Sequence, residues 1–193
     1  MRARFSPSGL LSDLAWAASR RWRDLRASWY AVDKEPWIFV SVLVAIVAMF
    51  FLALRVVYAR QDDRRNLLCL ARNVYFEARG EPVAGQVAVA EVTMNRVASG
   101  RYPGTVCGVV YQKNWDPLRG RYVGAFSWTE FDVLPVPVGE QWVQAVEIAD
   151  AVYHGREPPV LDGAMFFHAV YIKPDWAKAK KPLARIGGHV FYK

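Results

Sequence analysis

The 193-residue sequence predicts a mainly α, α+β domain with a small β element, preceded by one N-terminal transmembrane helix. Three observations predict it. Trp37 to Leu54 is a run without a charged residue. Three later stretches, ending near Ala78, Ala98 and Gly155, repeat apolar residues at i, i+3, i+4 and i+7, the spacing of one helical face. Val160–Tyr171 and Ile186–Tyr192 are short, rich in β-branched and aromatic residues, and bounded by Gly and Pro, which reads as strand.

Residues 1–36 carry seven Lys/Arg against four Asp/Glu, with Trp16, Trp22, Trp29 and Tyr30 among them. Arg20, Arg21, Arg23 and Arg26 form a basic cluster with aromatic neighbours. This cytoplasmic basic and aromatic tail reads equally as a short amphipathic helix on the membrane surface or as a solvated juxtamembrane segment. The uncharged run then spans about 27 Å at about 1.5 Å per residue, against a bilayer core of about 30 Å. Val56, Val57 and Tyr58 extend it, Arg55 can snorkel, and Trp37 and Tyr58 suit the two interfaces, so the span is expected over residues 37–58. A cleaved secretory signal fits less well, because the run starts far from the N-terminus and no Ala-x-Ala follows it. Arginines flank both ends, with Asp62 and Asp63 on the far side, so charge favours a cytoplasmic N-terminus only slightly. Residues 59–65 read as a short polar linker, and the folded domain as residues 66–193.

The domain opens on a helix in which Leu67, Leu70, Ala71, Val74, Tyr75 and Ala78 share a face. Glu77 falls on the flank of that face. A carboxylate there is partly desolvated, which raises its pKa toward what a general acid needs near neutral pH. Gly80 and Pro82 stop the helix. Glu81 is the runner-up for the acid. A second helix is expected over Val83–Ala98, with Glu91 at the edge of its apolar face. Glu91 reads as a surface flank residue, with a second cleft carboxylate as the other reading. Asn95 and Arg96 read as structural, satisfying backbone near the following loop.

Thr105 can cap a short helix from Val106 to Tyr111. Trp115–Gly124 reads as a long loop. Phe126-Ser127-Trp128 suits stacking on a sugar ring with a hydroxyl at hand, or two core aromatics. Gln141–Gly155 has the pattern of a scaffold helix, with Trp142, Ala145, Val146, Ala149 and Val152 as its buried stripe. His154, His168 and His189 show no metal-ligand spacing, so no metal and no cofactor is expected. His168 and His189 are suited to hydrogen-bonding sugar or to holding cleft walls together. The net charge of +7 suggests an acidic partner, and the absence of a basic run interleaved with aromatics argues against nucleic acid.

The succession Tyr75-Phe76-Glu77-Ala78-Arg79-Gly80-Glu81-Pro82, Gly85-Gln86-Val87-Ala88-Val89, Asn95-Arg96-Val97, Tyr102-Pro103-Gly104-Thr105-Val106-Cys107-Gly108-Val109-Val110-Tyr111-Gln112 and Phe126-Ser127-Trp128 closely resembles the cell wall hydrolases of the SleB/CwlJ type, which include spore cortex-lytic enzymes. The resemblance covers about residues 66–193. It implies a mainly helical, lysozyme/lytic transglycosylase-like fold with one catalytic Glu, here Glu77. It implies cleavage of peptidoglycan glycan strands between N-acetylmuramic acid and N-acetylglucosamine. It also places the domain on the extracytoplasmic side of the cytoplasmic membrane. Tyr75, Arg79, Ser127, Trp128 and His168 are the expected substrate contacts, with Arg79 alternatively a partner of Glu81. In an exported domain the even pair Cys69 and Cys107 fits a disulfide. The sequence departs from the family pattern at Ala125, where Gln is usual, and at Met165 and Phe166, which are more apolar. These departures leave room for an alternative, a non-catalytic membrane-anchored peptidoglycan-binding protein. An amide hydrolase of the stem peptide would want a metal or Cys/His site that the sequence does not supply.

Overall fold

The computed structural model describes residue 16, residues 19–29 and residues 35–193. The chain divides into two compact units, residues 1–56 and 57–193. Part of the expected tail, residues 1–15, 17–18 and 30–34, lies outside the described residues; residues 19–29 are helical and exposed.

Helix α1 runs from Glu35 to Ala78 without a break. It is long and apolar enough to cross a membrane, by length and composition. The residues expected to form a linker, 59–65, are helical and belong to it. The reason is in the composition: no Gly or Pro occurs between Trp37 and Arg79, and Arg and Gln are good helix formers. The buried residues of α1 all lie in its tail, between Cys69 and Ala78.

In the second unit α2 (Val83–Ala98) is the central element, and Gly85 through Thr93 are all buried. Its two sides serve two cores. Val87 and Ala90 join Leu70, Ala71, Val74 and Tyr75 of α1, Val106 and Val110 of α3 (Val106–Val110), Trp128, and Ala145, Ile148 and Ala149 of α4 (Glu140–Tyr153). Ala88, Val89 and Val92 join Ala78, Leu161, Ala164 and Phe191. Thr105 caps α3 as expected, accepting the Gly108 N–H at 3.0 Å. Cys69 and Cys107 form a disulfide with a Cα–Cα distance of 5.2 Å, tying α1 to α3. Asn73 is fully buried and links three segments: its Nδ2 donates to Thr93 Oγ1 and its Oδ1 accepts the Trp128 indole N–H.

Three expectations need correction. Trp115–Gly124 is largely an antiparallel hairpin, β1 (Lys113–Asp116) with β2 (Arg121–Gly124), pairing Trp115 with Tyr122. Asp116 Oδ1 accepts the Leu118 and Arg119 N–H groups and so shapes the turn, which the Asp-Pro pair in a long polar stretch concealed. Glu91 is neither surface nor cleft: at 7% exposure it accepts the N–H groups of Val160 and Leu161 at 2.7 and 2.9 Å. Asn95 and Arg96 do satisfy backbone, but the carbonyls are those of Ala164 and Met165, not the following loop.

The expected strands are present in shorter form, as β3 (Phe166–Ala169) and β5 (His189–Tyr192). Between them lie the helical turn α5 (Asp175–Lys178) and an unexpected edge strand, β4 (Pro182–Ile186), in the antiparallel order β3-β5-β4. A strand that begins on Pro after two lysines gives little sequence signal, and proline is tolerated there because β4 is an edge.

Candidate active site

The end of α1 delivers Phe76 and Glu77 to the wall of a cavity of about 460 Å³. Arg96 of α2, Ala125 to Ser127, Phe167 and His168 of β3, Trp176 of α5 and His189 of β5 also face it. The cavity therefore sits where the helical core meets the small sheet. Aromatic rings, among them Phe76, Phe167 and Trp176, give it apolar surface of the kind sugar rings stack on.

Glu77 is the only carboxylate in this wall among the described residues. Its Oε1 is buried and has no hydrogen-bond partner among the described residues. Burial raises its pKa from 4.5 to about 7, against the opposing pull of the Arg96 guanidinium. No donor stabilises the charged form directly, so desolvation wins. At neutral pH the group is poised between its acid and base forms. Arg96 is held in place by its Nε bond to Met165 O at 2.8 Å and by the rings of Phe126 and Tyr102, 5.3 and 5.5 Å from its Cζ. It is the standing positive charge beside Glu77.

The expected contacts divide. Glu77, Ser127 and His168 line the cavity. Ser127 is exposed where a 3-10 turn (Ser127–Glu130) begins. His168 is half-buried, and both its ring nitrogens already have partners: Nδ1 lies 2.9 Å from Ala169 O and Nε2 2.9 Å from the Tyr192 hydroxyl. Tyr75 and Trp128, at 6% and 3% exposure, are core residues and do not reach the cavity. Trp128 stacks behind Phe76, with ring centroids 4.8 Å apart, and so sets the position of a wall residue. Arg79 is exposed and lies over the Tyr75 ring at 5.1 Å, outside the cavity. Glu81 is also outside it: its Oε2 accepts the Gly188 N–H at 2.7 Å.

Sequence reasoning missed Phe76, Arg96, Phe167 and Trp176 as cavity residues, whereas His189, read as a sugar contact or a support of the cleft walls, does line it. Phe76 follows from Glu77, since its neighbour on α1 is delivered to the same wall. Trp176 comes from a segment read only as closing the domain. Among the described residues no group of three or more His, Cys, Asp or Glu comes together to hold a metal ion.

Residues 80–192 match the family model described as Cell Wall Hydrolase. The chain belongs to the SleB/CwlJ-type cell wall hydrolases. The matched stretch begins three residues after Glu77. The spore cortex-lytic enzyme of Bacillus cereus is 32% identical over 136 residues, which cover 68% of this chain and 45% of that protein. The spore cortex-lytic enzyme of Bacillus subtilis is 34% identical over 134 residues, covering 67% of this chain and 38% of that protein. The chain thus spans less than half the length of these curated relatives. Among solved structures, the catalytic domain of the Bacillus cereus SleB protein is similar with a TM-score of 0.53 and 28% identity, over 67% of this chain and 91% of that domain. This likeness fits the mainly helical, lysozyme-like architecture that the resemblance implies.

Proposed function

We propose that this cell wall hydrolase is a membrane-anchored enzyme that cleaves the glycan strand of peptidoglycan as a lytic transglycosylase, with Glu77 as its single catalytic acid. One observation carries the reading: a buried, unpartnered carboxyl with a pKa of about 7 in the wall of an aromatic-lined cavity. Family membership supplies the substrate class.

In this reading protonated Glu77 gives its proton to the glycosidic oxygen as the bond to the muramic acid C1 breaks. N-acetylglucosamine leaves as an alcohol. The oxocarbenium-like C1 is attacked by the C6 oxygen of the same muramic acid, and ionised Glu77 takes the C6 hydroxyl proton. The acid is regenerated, no water is consumed, and a 1,6-anhydro end forms. Arg96 favours the ionised carboxyl between the two proton transfers. Ordinary glycosidases use two carboxylates on either side of the scissile bond. Here Glu91 is occupied by two backbone N–H groups and Glu81 by the Gly188 N–H, which supports the single-acid scheme.

The apolar part of α1 is proposed as the single membrane anchor at residues 37–58, with residues 1–36 cytoplasmic and the second unit on the extracytoplasmic side of the cytoplasmic membrane. Two things support this: the substrate lies outside the cell, and the Cys69–Cys107 disulfide suits an oxidising compartment. The test is release of soluble glycan fragments from purified sacculi by the detergent-solubilised chain and by Glu77→Gln. Release by the wild type, reduced by a factor of about 10² or more in the variant, is the expected result. Equal release by both removes Glu77 from the role. Sacculus binding without release by either moves the chain to the non-catalytic binder.

A further inference from the structure

His189 stands apart from the other cavity residues. It is 8% exposed, it lines the Glu77 cavity, and among the described residues no hydrogen bond engages either ring nitrogen. Its Nδ1 is buried and points away from solvent, toward Glu81 Oε1 at 3.7 Å. Nε2 is the nitrogen left open to the cavity. His168, one strand over, is the contrast, since the fold already uses both of its nitrogens.

Behind His189 the chain is shaped around a carboxylate. The turn from β4 to β5 is Gly187-Gly188, with Gly187 at φ +56°. A side chain at Gly188 would meet Glu81 Oε1 at 2.7 Å, and one at Gly187 would collide with Glu81 Oε2. Glu81 itself is fixed by the Gly188 N–H at its Oε2, and Gln86 Nε2 donates to its backbone carbonyl at 3.0 Å. Two glycines and two hydrogen bonds therefore seat a carboxylate beside one particular ring nitrogen. At 3.7 Å the pair is longer than a hydrogen bond, and hydrogen bonds of this kind tighten when substrate fills a site.

A neutral imidazole has one N–H and one acceptor nitrogen, and a neighbouring acceptor decides which is which. Burial lowers the His189 pKa, with Glu81 pulling the other way and His168 adding to the lowering, so the ring is neutral at neutral pH. The rings of Phe167 and Phe191 pack against it and bring no charge. Glu81 beside Nδ1 then keeps the proton there and the lone pair on Nε2.

We propose that His189, held as its Nδ1–H tautomer by Glu81, contacts substrate directly, its Nε2 accepting a hydrogen bond from a glycan hydroxyl in the Glu77 cavity. Glu81 is then a positioning residue acting through His189. This rests on the glycan-cleaving reading for the identity of the ligand. It adds a fixed acceptor to a wall in which Arg96 only donates, the Glu77 carboxyl is taken up with the proton it moves, and the Ser127 hydroxyl is another side-chain acceptor at hand.

The test uses the detergent-solubilised full chain with isotope-labelled histidine, read by nitrogen NMR of the ring atoms. The expected spectrum has the His189 proton on Nδ1. In Glu81→Gln the amide presents a donor to Nδ1, and the tautomer moves to Nε2–H. Soluble glycan fragments added to Glu77→Gln, which holds them without turnover, shift the His189 Nε2 resonance. With wild-type Glu77, Glu81→Gln and His189→Phe each lower kcat/KM by about tenfold, the scale of one neutral hydrogen bond. A proton on Nε2 in the wild type overturns the inference. So does a Glu81→Gln chain with unchanged tautomer and unchanged kcat/KM, or an Nε2 resonance unmoved by ligand. A chain that shows the Nε2 shift yet never cleaves the glycan leaves His189 as a contact and removes the catalytic reading instead.

Discussion

Replacing the proposed catalytic acid by its neutral isostere is expected to stabilise the protein, increasingly so as the pH rises from about 4.5 to about 7. Glu77 titrates at about 7 in the fold against an ordinary 4.5, because burial penalises its charge. The folded state therefore holds the proton more tightly than the unfolded chain does. The stability this confers is fully present below pH 4.5 and is lost as the pH rises through about 7. At about 1.4 kcal/mol per pKa interval, the distance from 4.5 to about 7 comes to about 3 kcal/mol of penalty at pH 8. Glu77→Gln removes it while keeping the shape of the protonated acid. For a unit of this size about 3 kcal/mol corresponds to roughly 10 °C in Tm. The assay is thermal unfolding of the full chain and of Glu77→Gln in detergent, at pH 4 and at pH 8. The expected result is near-coincident midpoints at pH 4 and a higher midpoint for the variant at pH 8. A variant equally or less stable at pH 8 refutes the claim that the fold holds this carboxyl against its own ionisation, and the acid assignment loses its physical basis.

Other outcomes follow from the same contacts. Glu91→Ala leaves the buried N–H groups of Val160 and Leu161 without an acceptor, and a loss of about 3 kcal/mol is expected in chemical denaturation. Reducing the Cys69–Cys107 bond opens a loop with a sequence separation of 38; the chain-entropy cost is about 4 kcal/mol, read as a drop in Tm on adding reductant that Cys69→Ala/Cys107→Ala does not show. The rate of glycan cleavage is expected to fall as pH rises past about 7, where the acid loses its proton. Arg96→Gln removes the cation that holds the Glu77 pKa down, so this alkaline limb moves to higher pH even as the maximal rate drops.

Helices α2, α3 and α4 were legible because each carries apolar residues at helical spacing and is bounded by Gly, Pro or a cap. The span of α2 and the Thr105 cap were read to the residue from such signals. The flank position of Glu77 also followed from helical geometry alone. What the sequence hid was tertiary. Tyr75 and Trp128 carry the same aromatic signature whether they face a sugar or a core, and only the packing of Phe76 against Trp128 decides between the two. Glu91 reads as a surface acid until a loop almost seventy residues away brings two N–H groups to it. Arg96 and His189 reach the Glu77 cavity from distant elements, and neither has a spacing to Glu77 that periodicity could register.

The central claim is tested most directly by mass spectrometry of sacculi digested with the full-length chain and with Glu77→Gln. The account predicts fragments ending in 1,6-anhydro-muramic acid, present with the wild type and absent with the variant. Fragments with reducing muramic ends, which carry the mass of an added water, would contradict it, because a cavity in which Glu77 is the only carboxylate among the described residues would then be carrying out hydrolysis.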